Sequence, residues 1–467
     1  MKRREFLQLG AAATAVASTQ PVMAASLTRK LEFRKRTGVK KPNILLVVLD
    51  DVGFGDLGCY GAEHVTPSMD AVANNGVRFN NFHVTALCAP TRACLLTGRN
   101  AHAVGVGNIA EWGRDLPGYR GWITKDAATL AEYLREDAYT TLATGKWHLS
   151  AIHDQNGSGP YDHWPVGRGF DRWYGFHGNA MDHWHPEMFE NTVAAYPTKN
   201  DDYHLSTDLV DRSIDYIQDH IVATPDNPFL LYLAFGACHF PLHAPSDDIR
   251  RHKGRYDAGW DAIRRQRFRK QLQMGVVPEG TTLAPLNPNT PPWVDLTDSQ
   301  RQIATHGQEV YAAFLEHTDR QVGRLVDFLR AEGQLDDTIL MIMSDNGAAA
   351  GGAGLQQGIL DVRRASYYEK ESEAELTEHF QKLGTDDSYG MAGSGWAQAS
   401  NTPLKWYKAD TYGGGTRAPL IVSWPNGKIG QGTINTQYHH AIDVLPSLME
   451  MIGKPTPSKL NGNSILP

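Results

Sequence analysis

The sequence is poor in three features, each of which would mark a particular class of protein. Only 4 of its 467 residues are cysteines, too few for a disulfide framework to hold so long a chain. Basic residues are not in excess: 45 Lys and Arg stand against 52 Asp and Glu, a formal net charge of −7. That balance argues against a dedicated nucleic-acid-binding protein. No apolar run reaches about 18 residues, so no stable membrane span is expected.

The first 24 residues have the composition of a targeting segment. A Lys-Arg-Arg run at residues 2–4 precedes a weakly apolar, alanine-rich stretch, and residues 22–24 offer small side chains for cleavage. The adjacent arginines are typical of the twin-arginine type of signal peptide, although an ordinary signal with a basic start is the alternative. We therefore predict export to the periplasm or the extracellular space through the twin-arginine translocase. Residues 25–42 are interpreted as a basic, solvated leader to the main domain at 43–467.

Short apolar runs recur along the chain and predict buried strands. Between the third and fourth runs, apolar residues at three- and four-residue steps from Val310 to Leu329 predict a long helix. This alternation predicts an α/β fold with a mostly parallel central sheet flanked by helices. Two poorly periodic segments, at about 246–303 and 348–400, are interpreted as insertions. The predicted strands are Asn43–Leu49, Tyr139–Leu142, Phe229–Phe235, Thr338–Ser344 and Leu420–Trp424.

Polar side chains follow four of these strands. Because ligands bind beyond the carboxyl ends of parallel strands, we expect these side chains to converge at one edge of the sheet. They are Asp50, Asp51, Lys146, His148, His239, Asp345 and Asn346.

Two acidic pairs among them predict a metal site. The neighbouring carboxylates of Asp50 and Asp51 repel each other unless a cation or a proton lies between them. Asp345 and Asn346 add a carboxylate and an amide oxygen. An all-oxygen set suits Ca²⁺ or Mg²⁺ better than Zn²⁺. Either pair alone could instead form a loop cap or a turn, but both together, after two strong strands, favour one metal ion.

Residues 88–99, Cys-Ala-Pro-Thr-Arg-Ala-Cys-Leu-Leu-Thr-Gly-Arg, are the most informative stretch. They predict a helix that starts near Pro90 and ends by Gly98. Cys88 would lie at its N-terminus, where free N–H groups favour an anion, and Arg92 can point back to it. The alternative is that Cys88 is only a small apolar residue buried near the start of the helix. That is the interpretation of the other three cysteines, Cys59, Cys94 and Cys238.

This stretch resembles the signature of the type I sulfatases, the formylglycine-dependent members of the alkaline-phosphatase superfamily. The resemblance covers nearly the whole chain from about residue 43, because further motifs follow in the family's order. Thr91 stands where Ser is commoner, which keeps the hydroxyl. The further motifs are Asp50-Asp51-Val52-Gly53, Gly145-Lys146-Trp147-His148, His239 in its loop, Asp345-Asn346-Gly347, and Asn401-Thr402-Pro403 with Lys408.

The resemblance implies an arylsulfatase-like enzyme that hydrolyses aryl or carbohydrate sulfate esters. A separate formylglycine-generating enzyme would oxidise Cys88 to formylglycine (3-oxoalanine). A hydroxyl of its hydrate would attack sulfur. One Ca²⁺, with Mg²⁺ the less favoured ion, would polarise the sulfate. Its ligands would be Asp50, Asp51, Asp345 and Asn346.

The resemblance also implies roles for the remaining site residues. Arg92 and Lys146 would orient and stabilise the nucleophile. Lys408 and His239 would contact the sulfate, and His239 would be the general acid for the leaving alcohol. His148 would then take a proton from the remaining hydroxyl.

Some choices stay open from the sequence. His239 is preferred to His243 because it is nearer the strand end, and Lys408 is preferred to Lys405 by the resemblance. His183 and His185 either line the substrate pocket or form a loop pair.

Two other functions compete: a phosphonate or phosphate ester hydrolase of the same superfamily, and a non-catalytic binder of sulfated glycans. Asn346 argues against the two-zinc members of the superfamily, and the intact site argues against the binder. Related enzymes continue into a smaller C-terminal domain, so we expect a sequence ending at Pro467 to be either truncated in that domain or naturally short.

Overall fold

The computed structural model describes residues 41–198, 200, 202–288, 290–350 and 372–455, with the backbone of 459–460 and 463–464. The predicted signal peptide and residues 25–40 of the leader lie outside the described residues, as do residues 351–371 of the second predicted insertion. Across the described residues, no helix has both the length and the apolar character needed to cross a bilayer.

Strands and helices alternate along most of the described chain. The strands are β1 (Asn43–Leu49), β2 (Val77–Phe79), β3 (Phe82–His83), β4 (Thr140–Lys146), β5 (Arg172–Phe176), β6 (Met188–Glu190), β7 (Val193–Ala195), β8 (Phe229–Ala234), β9 (Thr338–Ser344), β10 (Leu420–Ser423), β11 (Thr433–Asn435), β12 (His439–His440), β13 (Lys459–Leu460) and β14 (Asn463–Ser464). The helices are α1 (Pro67–Asn74), α2 (Cys88–Thr97), α3 (Leu130–Glu136), α4 (Leu205–Ala223), α5 (Ser246–His252), α6 (Gly259–Gln273), α7 (Asp298–Ala331), α8 (Glu373–His379), α9 (Ser394–Ser400), α10 (Gly413–Thr416) and α11 (Val444–Met451).

A ten-stranded sheet in the order β11-β2-β10-β9-β1-β8-β4-β5-β6-β7 forms the centre of the fold. Its middle strands, from β9 to β5, pair in parallel. Antiparallel pairing begins at β10 on one side and at β6 on the other. The predicted α/β fold with a mostly parallel central sheet is confirmed.

Helices cover both faces of this sheet, which explains why β1 is apolar at nearly every position. Leu45 and Val47 belong to the core that α1, α4 and α7 complete. Ile44 and Leu46 point the other way, into the core that α2, α3 and α11 complete. A strand buried on two faces needs apolar residues at consecutive positions, the pattern seen in β1.

Two boundaries differ from the sequence prediction by more than two residues. The strand predicted at 139–142 runs on as β4 to Lys146, so Gly145 lies within the sheet. Gly145 has a φ of 94°, and a Cβ there would lie 1.8 Å from the carbonyl oxygen of Ala234. Glycine is therefore required where β4 meets β8. The long helix, α7, starts at Asp298, well before Val310, with Thr297 capping its N-terminus.

His177, directly after β5, is enclosed by aromatic rings. It is 3% exposed, and the ring centroids of Trp164, Trp173 and Phe189 lie 4.1, 4.8 and 5.3 Å away. Neither ring nitrogen has a hydrogen-bond partner among the described residues, and burial lowers the pKa of His177 to about 3. The His177 carbonyl accepts a hydrogen bond from the backbone N–H of His148, so the enclosure supports a predicted site residue.

Replacing His177 by phenylalanine is expected to raise the free energy of unfolding by about 1 kcal/mol at pH 7, because two unsatisfied polar atoms are removed. The gain should grow on acidification, since the imidazole takes up a proton near pH 6.5 when unfolded but only near pH 3 when folded. Wild-type stability is then lost below pH 6.5, by at most about 1.4 kcal/mol per pH unit.

Urea unfolding at pH 7 and pH 5 measures both effects. His185→Phe, at an exposed position, is the matched control and should follow the wild type. If wild type and His177→Phe lose the same stability on acidification, the buried imidazole is not the cause.

Candidate active site

The carboxyl ends of four parallel strands and the start of one helix meet at one edge of the sheet. Aspartates follow β1, an Asp-Asn pair follows β9, a lysine ends β4 and a histidine follows β8; α2 begins with Cys88, and a loop before α10 supplies a lysine. All are buried except Lys408, which is half-buried. The structure thus brings together every predicted site residue, namely Asp50, Asp51, Cys88, Arg92, Lys146, His148, His239, Asp345, Asn346 and Lys408.

Each carboxylate of this cluster uses one oxygen to bind its nearest cation. The pairs are Asp50 Oδ2 with Lys146 Nζ at 2.5 Å, Asp51 Oδ1 with Lys408 Nζ at 2.7 Å, and Asp345 Oδ2 with Arg92 Nη2 at 2.7 Å. Burial and the nearby Asp50 raise the pKa of Asp345 even though Arg92 is bound to it. The bound guanidinium therefore does not offset the effect of burial on the Asp345 carboxylate.

The oxygens of the cluster that bind none of these three cations indicate a further cation. Asp50 Oδ1, Asp51 Oδ2 and Asn346 Oδ1 are buried and have no hydrogen-bond partner in the described part of the chain. The Asn346 amide is oriented by its Nδ2, which donates to Asp51 Oδ1 at 2.6 Å. Buried acceptors without a donor are costly, and carboxylate and amide oxygens are the ligands of hard dications. The donor set therefore fits one Ca²⁺ or Mg²⁺.

Cys88 lies beside two carboxylates of this cluster. Its Sγ and carboxylate oxygens of Asp50 and Asp345 all lie within 4.8 Å of one another. The helix predicted near Pro90 begins two residues earlier, so Cys88 is the first residue of α2. Burial opposes ionisation, but His148, Lys146 and Lys408 lower the pKa of the Cys88 thiol. An anion at position 88 is thus favoured by the surrounding charges.

His148 is the direct partner of Cys88, with Nδ1 at 3.1 Å from Sγ. Burial opposes its charge, but Cys88 and Glu111 raise the pKa of His148 to about 9. Its backbone is left-handed, with a φ of 59°, and so is that of Asp51, with a φ of 60°. Non-glycine residues in this region carry strain that often accompanies functional sites.

Arg92 binds a carboxylate of the site and the backbone of β4. Its Nε and Nη2 donate to Asp345 Oδ2 at 2.9 and 2.7 Å, and Nη1 donates to the carbonyl of Lys146 at 3.2 Å. The guanidinium therefore ties α2, β4 and the loop after β9 together behind the reactive position.

His239 presents one nitrogen to the site. Its Nδ1 lies 2.8 Å from the carbonyl oxygen of Phe240, so Nδ1 carries a proton, and Nε2 faces Asp51 Oδ2 at 3.7 Å. Burial, followed by Lys408 and Lys146, lowers the pKa of His239 well below its usual range.

The competing residues have other environments. His243 Nδ1 accepts from the backbone N–H of His183, and its Nε2 lies 2.9 Å from the carbonyl of Ser388. The Lys405 ammonium lies over the Tyr412 ring, 5.3 Å from its centroid. His183 is buried and packs edge-on against Phe314, whereas His185 is exposed.

Asn401, from the Asn-Thr-Pro motif, joins two loops of the site. Its Oδ1 accepts from the N–H of Ala348 at 3.0 Å, and the N–H of Lys408 donates to the Ala348 carbonyl at 3.0 Å. The motif thus fixes the loop of Lys408 against the chain that follows the Asp345-Asn346 pair.

A buried charged network holds the loop after β1. Asp56 Oδ2 accepts from the N–H of Gly53 and the hydroxyl of Tyr311 at 2.8 and 2.7 Å. Its Oδ1 accepts from Arg267 of α6 at 2.8 Å. Arg267 also binds Glu63. Helix α6, from the segment predicted as the first insertion, therefore supports the carboxylate pair at 50–51.

Sequence reasoning missed Glu111, a direct partner of a predicted site residue. Glu111 Oε2 lies 2.8 Å from His148 Nε2. It belongs to a loop without apolar periodicity, 37 positions before His148. The sequence around it therefore contains no pattern that predicts a site residue.

Comparison with known protein families identifies the family of this chain. The sulfatase family model matches residues 42–454. The chain belongs to the sulfatase family. The protein is accordingly a sulfuric ester hydrolase, an enzyme that hydrolyses sulfate esters.

Individual relatives agree over most of their length. This sulfatase is 32% identical over 459 residues to an uncharacterised sulfatase of Schizosaccharomyces pombe, covering 93% of this chain and 79% of the relative. It is 30% identical over 446 residues to an arylsulfatase of Klebsiella aerogenes, covering 92% and 90%.

Solved structures share the fold. Ps i-CgsB in complex with k-i-k-neocarrahexaose has a TM-score of 0.60 at 24% identity, covering 91% of this sulfatase and 75% of that chain. The phosphonate monoester hydrolase of Agrobacterium radiobacter has a TM-score of 0.52 at 19% identity, covering 91% and 76%.

Proposed function

We propose that this sulfatase hydrolyses aryl and carbohydrate sulfate esters with a formylglycine made from Cys88 and one Ca²⁺ ion. The observation that carries the proposal is a set of three buried, unpartnered oxygens in the acidic cluster, two of whose carboxylates lie beside Cys88. The arylsulfatase relative supports an aryl ester. A human N-acetylgalactosamine-6-sulfatase, 26% identical over 457 residues and covered over 65% of its length, supports a sugar ester.

Four residues would hold the ion: Asp50, Asp51, Asp345 and Asn346. When present, the ion supplies a Lewis acid, and the formylglycine supplies an aldehyde whose hydrate is the nucleophile. Ca²⁺ is preferred to Mg²⁺ because it accepts irregular sets of oxygen ligands, whereas Mg²⁺ demands a near-octahedral one.

The cations of the site would bind the anionic ester. Lys146 and Lys408 each reach a carboxylate of the cluster, and both lie close enough to position 88 to lower the pKa of its thiol. Burial alone would lower the pKa of Lys408, but Asp51 and Cys88 raise it well above its usual range. Its ammonium therefore stays charged to hold a sulfate oxygen.

Two histidines would move protons. His148 Nδ1 faces position 88 and would accept a proton from a hydroxyl there. His239 would donate from Nε2 to the leaving alcohol oxygen. Because burial, Lys408 and Lys146 oppose that proton in the free enzyme, an anionic sulfate beside Nε2 would be needed to hold it.

Maturation and location are also proposals. A formylglycine-generating enzyme would act on Cys88, and residues 1–24 would direct export through the twin-arginine translocase.

Mass spectrometry of the peptide that contains residue 88, combined with rate measurements, tests the proposed chemistry. We expect an aldehyde at position 88 in the active enzyme, and faster hydrolysis of 4-nitrophenyl sulfate than of the matching phosphonate monoester. A thiol at position 88 in fully active enzyme would refute the formylglycine. Preference for the phosphonate would favour the phosphonate hydrolase, to which the A. radiobacter structure is similar in fold.

A further inference from the structure

Glu111 contacts two parts of the site at once. It lies in a short helical turn, Ala110–Trp112, in the chain between α2 and α3. Its Oε2 lies 2.8 Å from His148 Nε2, and its Oε1 accepts from the backbone N–H of Asn179 at 3.1 Å. Its side chain is 21% exposed, and His148 is its only ion-pair partner among the described residues. The carboxylate is therefore not neutralised by a lysine or an arginine.

The contact between Glu111 and His148 determines which imidazole nitrogen carries the proton. Burial opposes ionisation of Glu111, but His148 lowers the pKa of the carboxyl to about 2. An ionised carboxylate only accepts hydrogen bonds, so His148 Nε2 must be the donor. In the neutral imidazole Nδ1 is then free of a proton, and Nδ1 is the nitrogen 3.1 Å from Cys88 Sγ.

The second contact reaches Lys146. The carbonyl of Asn179, whose N–H binds Glu111, accepts from Lys146 Nζ at 2.5 Å. Lys146 Nζ also binds Asp50 Oδ2 at 2.5 Å. One carboxylate thus fixes the imidazole directly and the lysine through a single residue.

We propose that Glu111 is the positioning residue of His148, holding the imidazole so that its Nδ1 lone pair faces the side chain at position 88. The proposal rests on the proposed function. There, the proton leaves a hydroxyl oxygen on residue 88, the O–H bond breaks and an N–H bond forms at Nδ1. The imidazolium produced then has both nitrogens protonated and keeps its Nε2–H bond to Glu111. A carboxylate at that place favours the imidazolium and so favours the transfer.

Glu111→Gln tests the proposal because it keeps the shape of the side chain and removes its charge. Glutamine has one amide oxygen where Glu111 has two carboxylate oxygens. It therefore cannot accept from both His148 Nε2–H and Asn179 N–H as the carboxylate does. We expect kcat for 4-nitrophenyl sulfate to fall about 10- to 100-fold, with KM unchanged. The acid limb of the kcat–pH profile should move to lower pH, because loss of the negative charge lowers the pKa of His148. Cys88 or its aldehyde, Lys146 and His239, the other titratable groups around the ring, are the same in both enzymes.

A second readout does not depend on turnover. In ¹⁵N-histidine-labelled protein, the His148 signals are those missing from His148→Gln. At a pH above about 9, where the imidazole of His148 is neutral, we expect a proton on Nε2 in the wild type and, in Glu111→Gln, partial or complete transfer of that proton to Nδ1. Because the spectrum reports the imidazole whatever stands at position 88, it tests the positioning role even if the formylglycine proposal fails by mass spectrometry.

Asp115→Asn is the matched control, since it removes one negative charge from an exposed position in the same loop. It should leave kcat, the acid limb and the His148 spectrum unchanged. The proposal is overturned if Glu111→Gln keeps the wild-type proton position, or if it loses activity equally at every pH, which is the result of a merely structural role.

Discussion

The Cys88→Ala variant is expected to lose at least about 10⁴-fold in kcat for 4-nitrophenyl sulfate, as other enzymes do when their nucleophile is removed. Alanine offers no atom that can attack sulfur, and no other side chain is placed 3.1 Å from His148 Nδ1 in the described part of the site. The fold should persist, because the smaller side chain creates no clash at the buried start of α2. Steady-state kinetics and circular dichroism on the purified variant measure both expectations.

Cys94 provides the control on the same helix. It is buried in the core between α2 and the sheet, so Cys94→Ala should lose some stability and keep its turnover. A Cys88→Ala enzyme with more than a tenth of wild-type kcat would show that position 88 does not supply the nucleophile.

Removal of Ca²⁺ is expected to abolish turnover and to lower the free energy of unfolding. The fall should be about 4 kcal/mol relative to protein in a thousandfold excess of Ca²⁺ over its Kd. The physical reason is that Asp50 Oδ1, Asp51 Oδ2 and Asn346 Oδ1 are buried acceptors without a donor among the described residues. Urea unfolding in chelator and in Ca²⁺ measures the free energy of unfolding, and activity assays in the same solutions measure turnover. Added Ca²⁺ should restore both the stability and the turnover.

Two aspartate variants distinguish Ca²⁺ binding at this site from a general effect of salt on stability. Asp51→Asn should abolish the Ca²⁺-dependent gain in stability. Asp319→Asn should retain it, because Asp319 is a buried acid of α7 whose carboxylate accepts from the N–H groups of Ser68 and Met69 at the start of α1. Equal stability of the wild type with chelator and with Ca²⁺ would exclude a bound ion.

Residues that follow apolar strands were predictable from the sequence. The runs at β1 and β9 are apolar on both faces, so the polar residues after them stand out, and parallel strands place such residues at a common edge. The side chains of Asp50 and Asp345 meet for this reason. The short strands, such as β6 and β7, were not predicted, because three residues carry no period.

Other parts of the site follow from tertiary contacts alone. Helix α6 was not predicted because its buried face includes Arg264, Arg267 and Gln271 beside Trp260 and Ile263. A hydrophobicity pattern cannot register a face whose polar members are buried. Glu111 was missed for a related reason: its partners, His148 and Asn179, come from other segments.

The pairing of three carboxylates with three cations has a consequence for the end of the catalytic cycle. The six side chains carry no net charge together, so one dication would leave the cluster at 2+. An ester monoanion cancels half of that excess, whereas inorganic sulfate, a dianion, cancels all of it. With the proposed ion bound, the cluster would therefore hold inorganic sulfate more strongly than the ester, and at low ionic strength sulfate release rather than bond cleavage would limit throughput.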